Sequence, residues 1–318
     1  MSVGKYLTII ALIVIYISET KANPYQMQWM AYPHPDDTAQ VWFRNSYEIT
    51  ERPVTARIAI ASTGYFELYV NERNVTGDVL TPLRERCSAN AIAVTYDVTR
   101  FMRAGTNTVA VWYSPSFPHP ESRQIALSFY GRAGDGSPQV FDNDSSWLCR
   151  KASCSARDLT SVNTLSAEGH ELLGMAETEP RWNAEDIDIA RWLPARIVED
   201  KEYVPVEHRS RIYEATRISR IRQQKYFDIE GDSVVYDFGE AFVGLVRVTL
   251  RDAIPGEHIN IGGMEYTCSG DADEQAIQRF TTTDCRRLLI CGDEHFDREQ
   301  IQKVEALEII TYTRDLEE

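Results

Sequence analysis

The sequence predicts an all-β protein built as two consecutive antiparallel β-sandwich, jelly-roll-like domains. Three observations predict it. Short stretches alternate apolar and polar residues with a period of two, as half-buried strands do. Turn-forming residues separate these stretches at short, even intervals. Beyond the first two dozen residues, helical periodicity is weak everywhere.

The elements follow in order. Residues 1–22 read as a signal peptide. Lys5 supplies a positive start, Leu7 to Ile17 is an uncharged apolar run, and Thr20-Lys21-Ala22 puts small residues at −3 and −1 of a cleavage before Asn23. The run is shorter than the ~20 apolar residues that span a bilayer. The expected location is therefore secreted or periplasmic, with no membrane insertion after cleavage.

The first domain is expected over 23–205. Arg57-Ile58-Ala59-Ile60-Ala61 alternates with Ile58 and Ile60 on one face, and Phe66-Glu67-Leu68-Tyr69-Val70 alternates again. Asn71 to Asn74 reads as a tight turn. Strands are expected at Ala93 to Val98, Thr108 to Tyr113 and Ile125 to Tyr130, with Gly105-Thr106-Asn107 as a turn. Residues 131–146, rich in Gly, Asp and Ser, read as a loop. The second domain is expected over 206–318. Val234 to Phe238 enters a turn, Leu245 to Leu250 alternates, and Ile254-Pro255-Gly256-Glu257 turns the chain. Gly262-Gly263 within a strand region suggests a bulge.

Composition excludes several functions. The formal net charge of −15 argues against nucleic acid and against anionic membranes as partners. There is no Gly-x-Ser-x-Gly elbow, no Cys-x-x-Cys, and no pair of His at metal-binding helical spacing. No metal and no cofactor is expected. Glycoside hydrolysis needs two carboxylates at a set separation. Glu171, Glu177, Asp237 and Glu265 are conceivable, but no pair stands out among 48 acidic residues, so no catalytic residue is assigned. Six cysteines in an exported chain permit disulfides. Cys149 with Cys154 and Cys285 with Cys291 are the local candidates, leaving Cys87 with Cys268.

Sugar binding is the site chemistry that remains. An aromatic ring covers the C–H face of a sugar while polar side chains bond its hydroxyls. Arg181-Trp182-Asn183 combines a ring, a cationic fork and an amide, and Tyr113 opens the Pro-rich stretch Tyr113-Ser114-Pro115-Ser116-Phe117-Pro118-His119-Pro120. These four residues, Arg181, Trp182, Asn183 and Tyr113, are the expected sugar contacts. The alternative for Trp182 is a packing role, since large aromatics are usually buried.

Two sets of residues carry a family resemblance. Ala56-Arg57-Ile58-Ala59-Ile60-Ala61-Ser62-Thr63-Gly64-Tyr65-Phe66-Glu67-Leu68-Tyr69-Val70-Asn71, then Tyr96-Asp97-Val98-Thr99, then Gly105-Thr106-Asn107-Thr108-Val109-Ala110-Val111 and Trp192-Leu193-Pro194-Ala195 follow one order. That order resembles the galactose-binding-like jelly roll at the front of bacterial α-L-rhamnosidases. Tyr236-Asp237-Phe238-Gly239 with Gly244 and Val246-Arg247 resembles the concanavalin-like sandwich that follows it in the same family. The resemblance implies the scaffold of a sugar hydrolase without its catalytic helical barrel, which would need roughly 200 residues more at ordinary helix lengths. The family's acidic sugar- and calcium-binding signature keeps only Glu171, in Gly169-His170-Glu171-Leu172-Leu173-Gly174. The implied function is an exported, non-catalytic carbohydrate-binding or accessory protein in glycan recognition or breakdown. Its implied partners are a rhamnose-containing glycan and a separate glycoside hydrolase. The alternatives are a divergent or split α-L-rhamnosidase with its barrel on another chain, and a structural or adhesion protein.

Overall fold

The computed structural model describes residues 27–315, apart from 35, 84–89, 117–122, 142–145, 158–169, 176–178, 180, 200, 201, 203, 210 and 211. The expected signal peptide, Cys87, Phe117, His119 and Glu177 lie outside the described residues. All the extended structure is strand, with short 3₁₀ turns at Thr99–Phe101 and Arg298–Gln300. No helix among the described residues is long and apolar enough to cross a membrane.

In chain order the front half comprises β1 (Gln28–Ala31), β2 (Ala39–Ile49), β3 (Thr55–Ser62), β4 (Tyr65–Val70), β5 (Arg73–Asn74) and β6 (Ala91–Asp97). It continues with β7 (Gly105–Ser114), β8 (Gln124–Arg132), β9 (Pro138–Phe141), β10 (Leu148–Arg157) and β11 (His170–Gly174). Short segments β12 (Leu193–Pro194), β13 (Arg196–Ile197) and β14 (Val206–His208) close it. The back half comprises β15 (Ile212–Gln223), β16 (Tyr226–Glu230), β17 (Ser233–Leu250), β18 (His258–Ile261) and β19 (Met264–Thr267). β20 (Glu274–Ile277), β21 (Thr283–Gly292) and β22 (Ile301–Asp315) complete it.

Two sheets result. One runs β13-β1-β8-β3-β6-β14, with β9 beside β8. The other runs β15-β22-β17-β21-β18-β19-β11-β10-β2-β7-β4-β5. Pairing is antiparallel except at β14–β6 and β11–β19. The second of these parallel contacts carries one sheet through both halves of the chain.

Alternation explains the first core. Ile58 and Ile60 of β3, with Ile125, Leu127 and Phe129 of β8, face Phe66 and Leu68 of β4, Val41 and Phe43 of β2, and Val109 and Val111 of β7. The strands β2 and β7 bury their other face too. Trp42, Ala110 and Trp112 join a second core with Val246, Val248, Ile259, Ile261, Leu288 and Ile290. The two halves therefore share a wall, and are not merely successive sandwiches. Packing on the first core also runs past residue 205: β14 pairs with β6, and Tyr213 and Ala215 reach that core. Arg314 and Tyr312 of β22 both bond Asp78 in the front half.

Several turns form as their residues dictate. Asn71 and Glu72 both take positive φ, the two-residue turn that matches strand twist. The Asn71 amide donates to Phe101 O and Asn107 Oδ1, and its Oδ1 accepts from Thr108 N. Asp97 Oδ1 accepts from Thr99 N at 2.9 Å. Two expectations change. Part of the stretch 131–146 forms β9, paired with β8. Gly262-Gly263 is the two-residue turn joining β18 to β19, with Gly262 at φ +60°, and not a bulge.

The local disulfides are also corrected. All five described cysteines are free thiols. Cys149 and Cys154 lie on one strand, and so do Cys285 and Cys291. At about 3.3 Å per strand residue, each pair is separated by well over the ~7 Å that a bridge tolerates. Cys149 faces the first core and Cys154 the second. Burial pushes the Cys149 and Cys268 thiols up to about 12.

Candidate functional site

The expected sugar contacts do not form an open site. Trp182 is only 7% exposed. Its ring stacks on Trp42 at 5.1 Å with the planes 5° apart, and meets Tyr69 and Trp112 edge-on. Neither face is available to a ligand, so Trp182 fills the seam between the halves. Arg181 is exposed, sits at φ +58°, and is committed to Glu72 and Asp186. Asn183 is buried. Tyr113 is buried as well, its hydroxyl 3.3 Å from Thr63 Oγ1.

Glu171 lies in the same seam, fully covered. It accepts from Gln40 Nε2 at 2.9 Å, Arg279 N at 2.8 Å, Phe280 N at 3.3 Å and Thr281 Oγ1 at 3.1 Å. Burial raises its carboxyl above the ordinary range, against the pull of these donors. Gln40 Oε1 in turn accepts from Trp112 Nε1 at 2.7 Å. The Arg279 guanidinium lies 4.2 Å from the Trp112 ring centre and bonds Glu67 at 2.7 Å. Every carboxylate oxygen of Glu171 is occupied by the protein, which is the chemistry of a joint. Asp237 is similarly committed, accepting from Gly239 N, Tyr226 OH and Arg286 Nε. Among the described residues no group of three or more His, Cys, Asp or Glu could hold a metal ion.

A different place has the geometry of a binding site. A cavity of about 230 Å³ opens at one end of the front sandwich, where β1, β2, β7, β8 and β13 meet. Tyr32, His34, Asp36, Tyr113, Gln124, Arg196 and Glu202 are among its lining residues. Tyr32 and His34 meet edge-on, with ring centres 5.7 Å apart. Asp36 closes its own turn, accepting from Thr38 N, Thr38 Oγ1 and Ala39 N at 3.0–3.1 Å. Partial burial pushes the Asp36 carboxyl up. The Lys151 ammonium at 2.6 Å and the turn donors outweigh it and hold the carboxyl at about 2. Arg196 pairs with Glu202 at 3.2 Å.

Gln124, the first residue of β8, is the unusual member. It is 2% exposed. Its N–H donates to Thr63 Oγ1 and its Nε2 to Glu202 O, at 3.0 and 3.1 Å. Its Oε1 is buried with no hydrogen-bond partner among the described residues. A buried acceptor left unpaired costs about 1–3 kcal/mol, and such groups in native proteins call for an explanation. An acceptor, an ionised carboxylate, an arginine and two phenol rings around one hollow suit a small polyhydroxylated ligand. Of the four contacts expected from sequence, only Tyr113 lines this cavity. Gln124 escaped notice because a Gln at a strand start is unremarkable. The Pro-Asp stretch Tyr32-Pro33-His34-Pro35-Asp36-Asp37 was the available signal, since loops at sandwich ends carry function.

Known proteins share this architecture. Residues 51–216 match the family model described as the α-L-rhamnosidase N-terminal domain. An α-L-rhamnosidase of Streptomyces avermitilis is 24% identical over 286 residues, covering 83% of this chain and 26% of the relative. One of Formosa agariphila is 20% identical over 224 residues, covering 66% of this chain and 23% of the relative. The chain thus spans about a quarter of the length of these curated relatives. The solved α-L-rhamnosidase of Dictyoglumus thermophilum superposes with a TM-score of 0.77 at 20% identity, over 91% of this chain and 36% of that one. The Streptomyces avermitilis enzyme, solved with L-rhamnose, gives 0.75 at 20% identity, over 87% and 29%. At these identities the superpositions show the fold, and the family match adds descent: this chain belongs to the α-L-rhamnosidase N-terminal domain family.

Proposed function

We propose that this protein is an exported, non-catalytic carbohydrate-binding protein that acts in recognition or breakdown of rhamnose-containing glycans. The observation that carries this reading is the buried Gln124 Oε1, without a hydrogen-bond partner among the described residues, in a sandwich-end cavity that Tyr32, Asp36 and Tyr113 also line. At about 230 Å³ the hollow is below the ~300–1,000 Å³ of drug-sized pockets, which suits one sugar ring. A turn of the Gln124 amide toward the hollow lets its Oε1 accept a ligand hydroxyl and offsets the cost of its burial, and His34 and Arg196 of the same lining supply further polar contacts. The carboxylates singled out from sequence support a scaffold role, because Glu171 and Asp237 are saturated by internal donors. The apolar, charge-free run at Leu7 to Ile17 supports export. The partner in this role is a glycoside hydrolase on a separate chain. The exposed Ile218, Ile221 and Val243 of the back half support a protein contact there.

A glycan array probed with residues 23–318 tests the reading. Retention on rhamnose-containing glycans is expected, with no turnover of an aryl α-L-rhamnoside. Failure to bind any glycan would overturn it. So would rhamnoside turnover abolished by a single carboxylate-to-amide change.

A further inference from the structure

A second feature lies in the back half of the chain and is unrelated to sugar chemistry. Strand β16 is an edge. Among the described residues it pairs only with β17, and all five of its residues are exposed. An edge strand leaves alternate backbone N–H and C=O groups pointing away from its single neighbour. Proteins usually blunt such an edge with Lys, Pro or a bulge. The sequence Tyr226-Phe227-Asp228-Ile229-Glu230 contains neither residue; its only charges, Asp228 and Glu230, alternate onto the face opposite Phe227 and Ile229, and its register with β17 is unbroken.

The side chains make the edge receptive. Phe227 and Ile229 share one face, opposite Tyr236 and Val234. Phe227 is 55% exposed, although its ring lies 5.9 Å from Tyr236. Beside this face is a hollow of about 570 Å³, with Ile229, Val234 and Phe296 as its apolar lining. Its polar lining is one-sided: Asp232, Asp293, Glu294 and Asp297 stand against the single cation Arg298. The nearby Arg287 is engaged with Glu230 at 3.1 Å.

We propose that β16 is a docking edge for an extended segment of a partner polypeptide, added as a further strand. Alternate apolar side chains of that segment rest on Phe227 and Ile229 and enter the hollow, and Lys or Arg residues face its carboxylates. Main-chain pairing supplies affinity and the alternate pockets supply selectivity, as in other strand-addition complexes. Charge selects the occupant. A second copy would bring its own acidic rim, from a chain of net charge −15, against this one.

A library of short random peptides displayed on phage, selected against residues 23–318, tests the proposal. Enriched peptides are expected to alternate apolar residues and to carry Lys or Arg. The synthetic peptide of the most enriched sequence should lose affinity on the order of tenfold or more on Ile229→Lys or Phe227→Lys. Asp232→Lys with Glu294→Lys should flatten its salt dependence. These residues are exposed, and a melting temperature equal to that of the parent protein confirms folding of each variant. Enriched peptides that bind the Ile229→Lys and Phe227→Lys proteins undiminished would overturn the proposal, as would no enrichment. A dimer by sedimentation that becomes monomeric on Ile229→Lys would also overturn it, by assigning the edge to a second copy.

Discussion

Two buried polar regions of this chain differ in one respect. In the seam, Glu171 meets four donors from Gln40, Arg279, Phe280 and Thr281. In the sandwich-end cavity, Gln124 keeps an acceptor that no described residue reaches. Saturation marks a group retained to hold structure, because breaking a satisfied buried network is costly. An acceptor at the margin of a hollow, without a partner among the described residues, suits an incoming donor, whether a water or a ligand hydroxyl. The seam also shows why an aromatic beside polar residues is an ambiguous sign. Trp182 has an Arg and an Asn beside it in sequence, yet it stacks on Trp42.

Substitutions should separate the two regions. The largest effect is expected at Trp182. Trp182→Ala should cost about 3–5 kcal/mol of stability through the cavity left beside Trp42 and Trp112, measured by urea denaturation. Only a marginal loss there would show that the ring is not a packing element. Next is Glu171→Gln, which keeps the shape but turns an amide N–H₂ toward existing donors. A loss of about 1–3 kcal/mol is expected, without any change in glycan retention.

Gln124→Leu should behave in the opposite way. It removes the orphaned acceptor and one bond to Glu202 O, so stability should stay within about 1 kcal/mol of the parent. Glycan retention should fall sharply. A large stability loss here would make the cavity a second joint and erase the contrast.

The smallest effect concerns acid. The Asp36 carboxyl is held at about 2 when folded, against 3.8 ordinarily. A depressed carboxyl contributes stability that is present above pH 3.8 and is lost as pH falls through about 2. Asp36→Asn should therefore be less stable than the parent at neutral pH, with the gap closing between pH 3.8 and 2. Parallel stability curves over that window would contradict the Lys151 pairing.

Much of the fold was legible in the sequence, for physical reasons. Ile58, Ile60, Phe66, Leu68 and Val70 advertise a one-sided strand face by period two. Asp97 is legible because its side chain bonds backbone two residues on, whereas Asn71 and Thr99, which suit turns by residue type, tie those turns to distant backbone at Phe101, Thr108 and Ala56. The shared wall was written less clearly. Val41-Trp42-Phe43 and Val109-Ala110-Val111-Trp112-Tyr113 are continuous apolar runs, the mark of strands buried on both faces. What covers the second face is a long-range matter that no local pattern states. The cysteine pairs failed for a related reason. Spacings of five and six residues look like small loops until the segment proves to be a strand, where they become long distances. The cavity was legible only through Tyr113 and the Pro-Asp stretch near His34. Gln124 gains its meaning from burial, which depends on the packing of five strands.

Isothermal titration calorimetry with L-rhamnose and rhamnose-containing oligosaccharides, on the parent protein and on Gln124→Leu at matched melting temperature, tests the central claim most directly. Measurable heat of binding in the parent, lost in Gln124→Leu, is the predicted result. Equal binding by both proteins would contradict the assignment of the sandwich-end cavity as the sugar site.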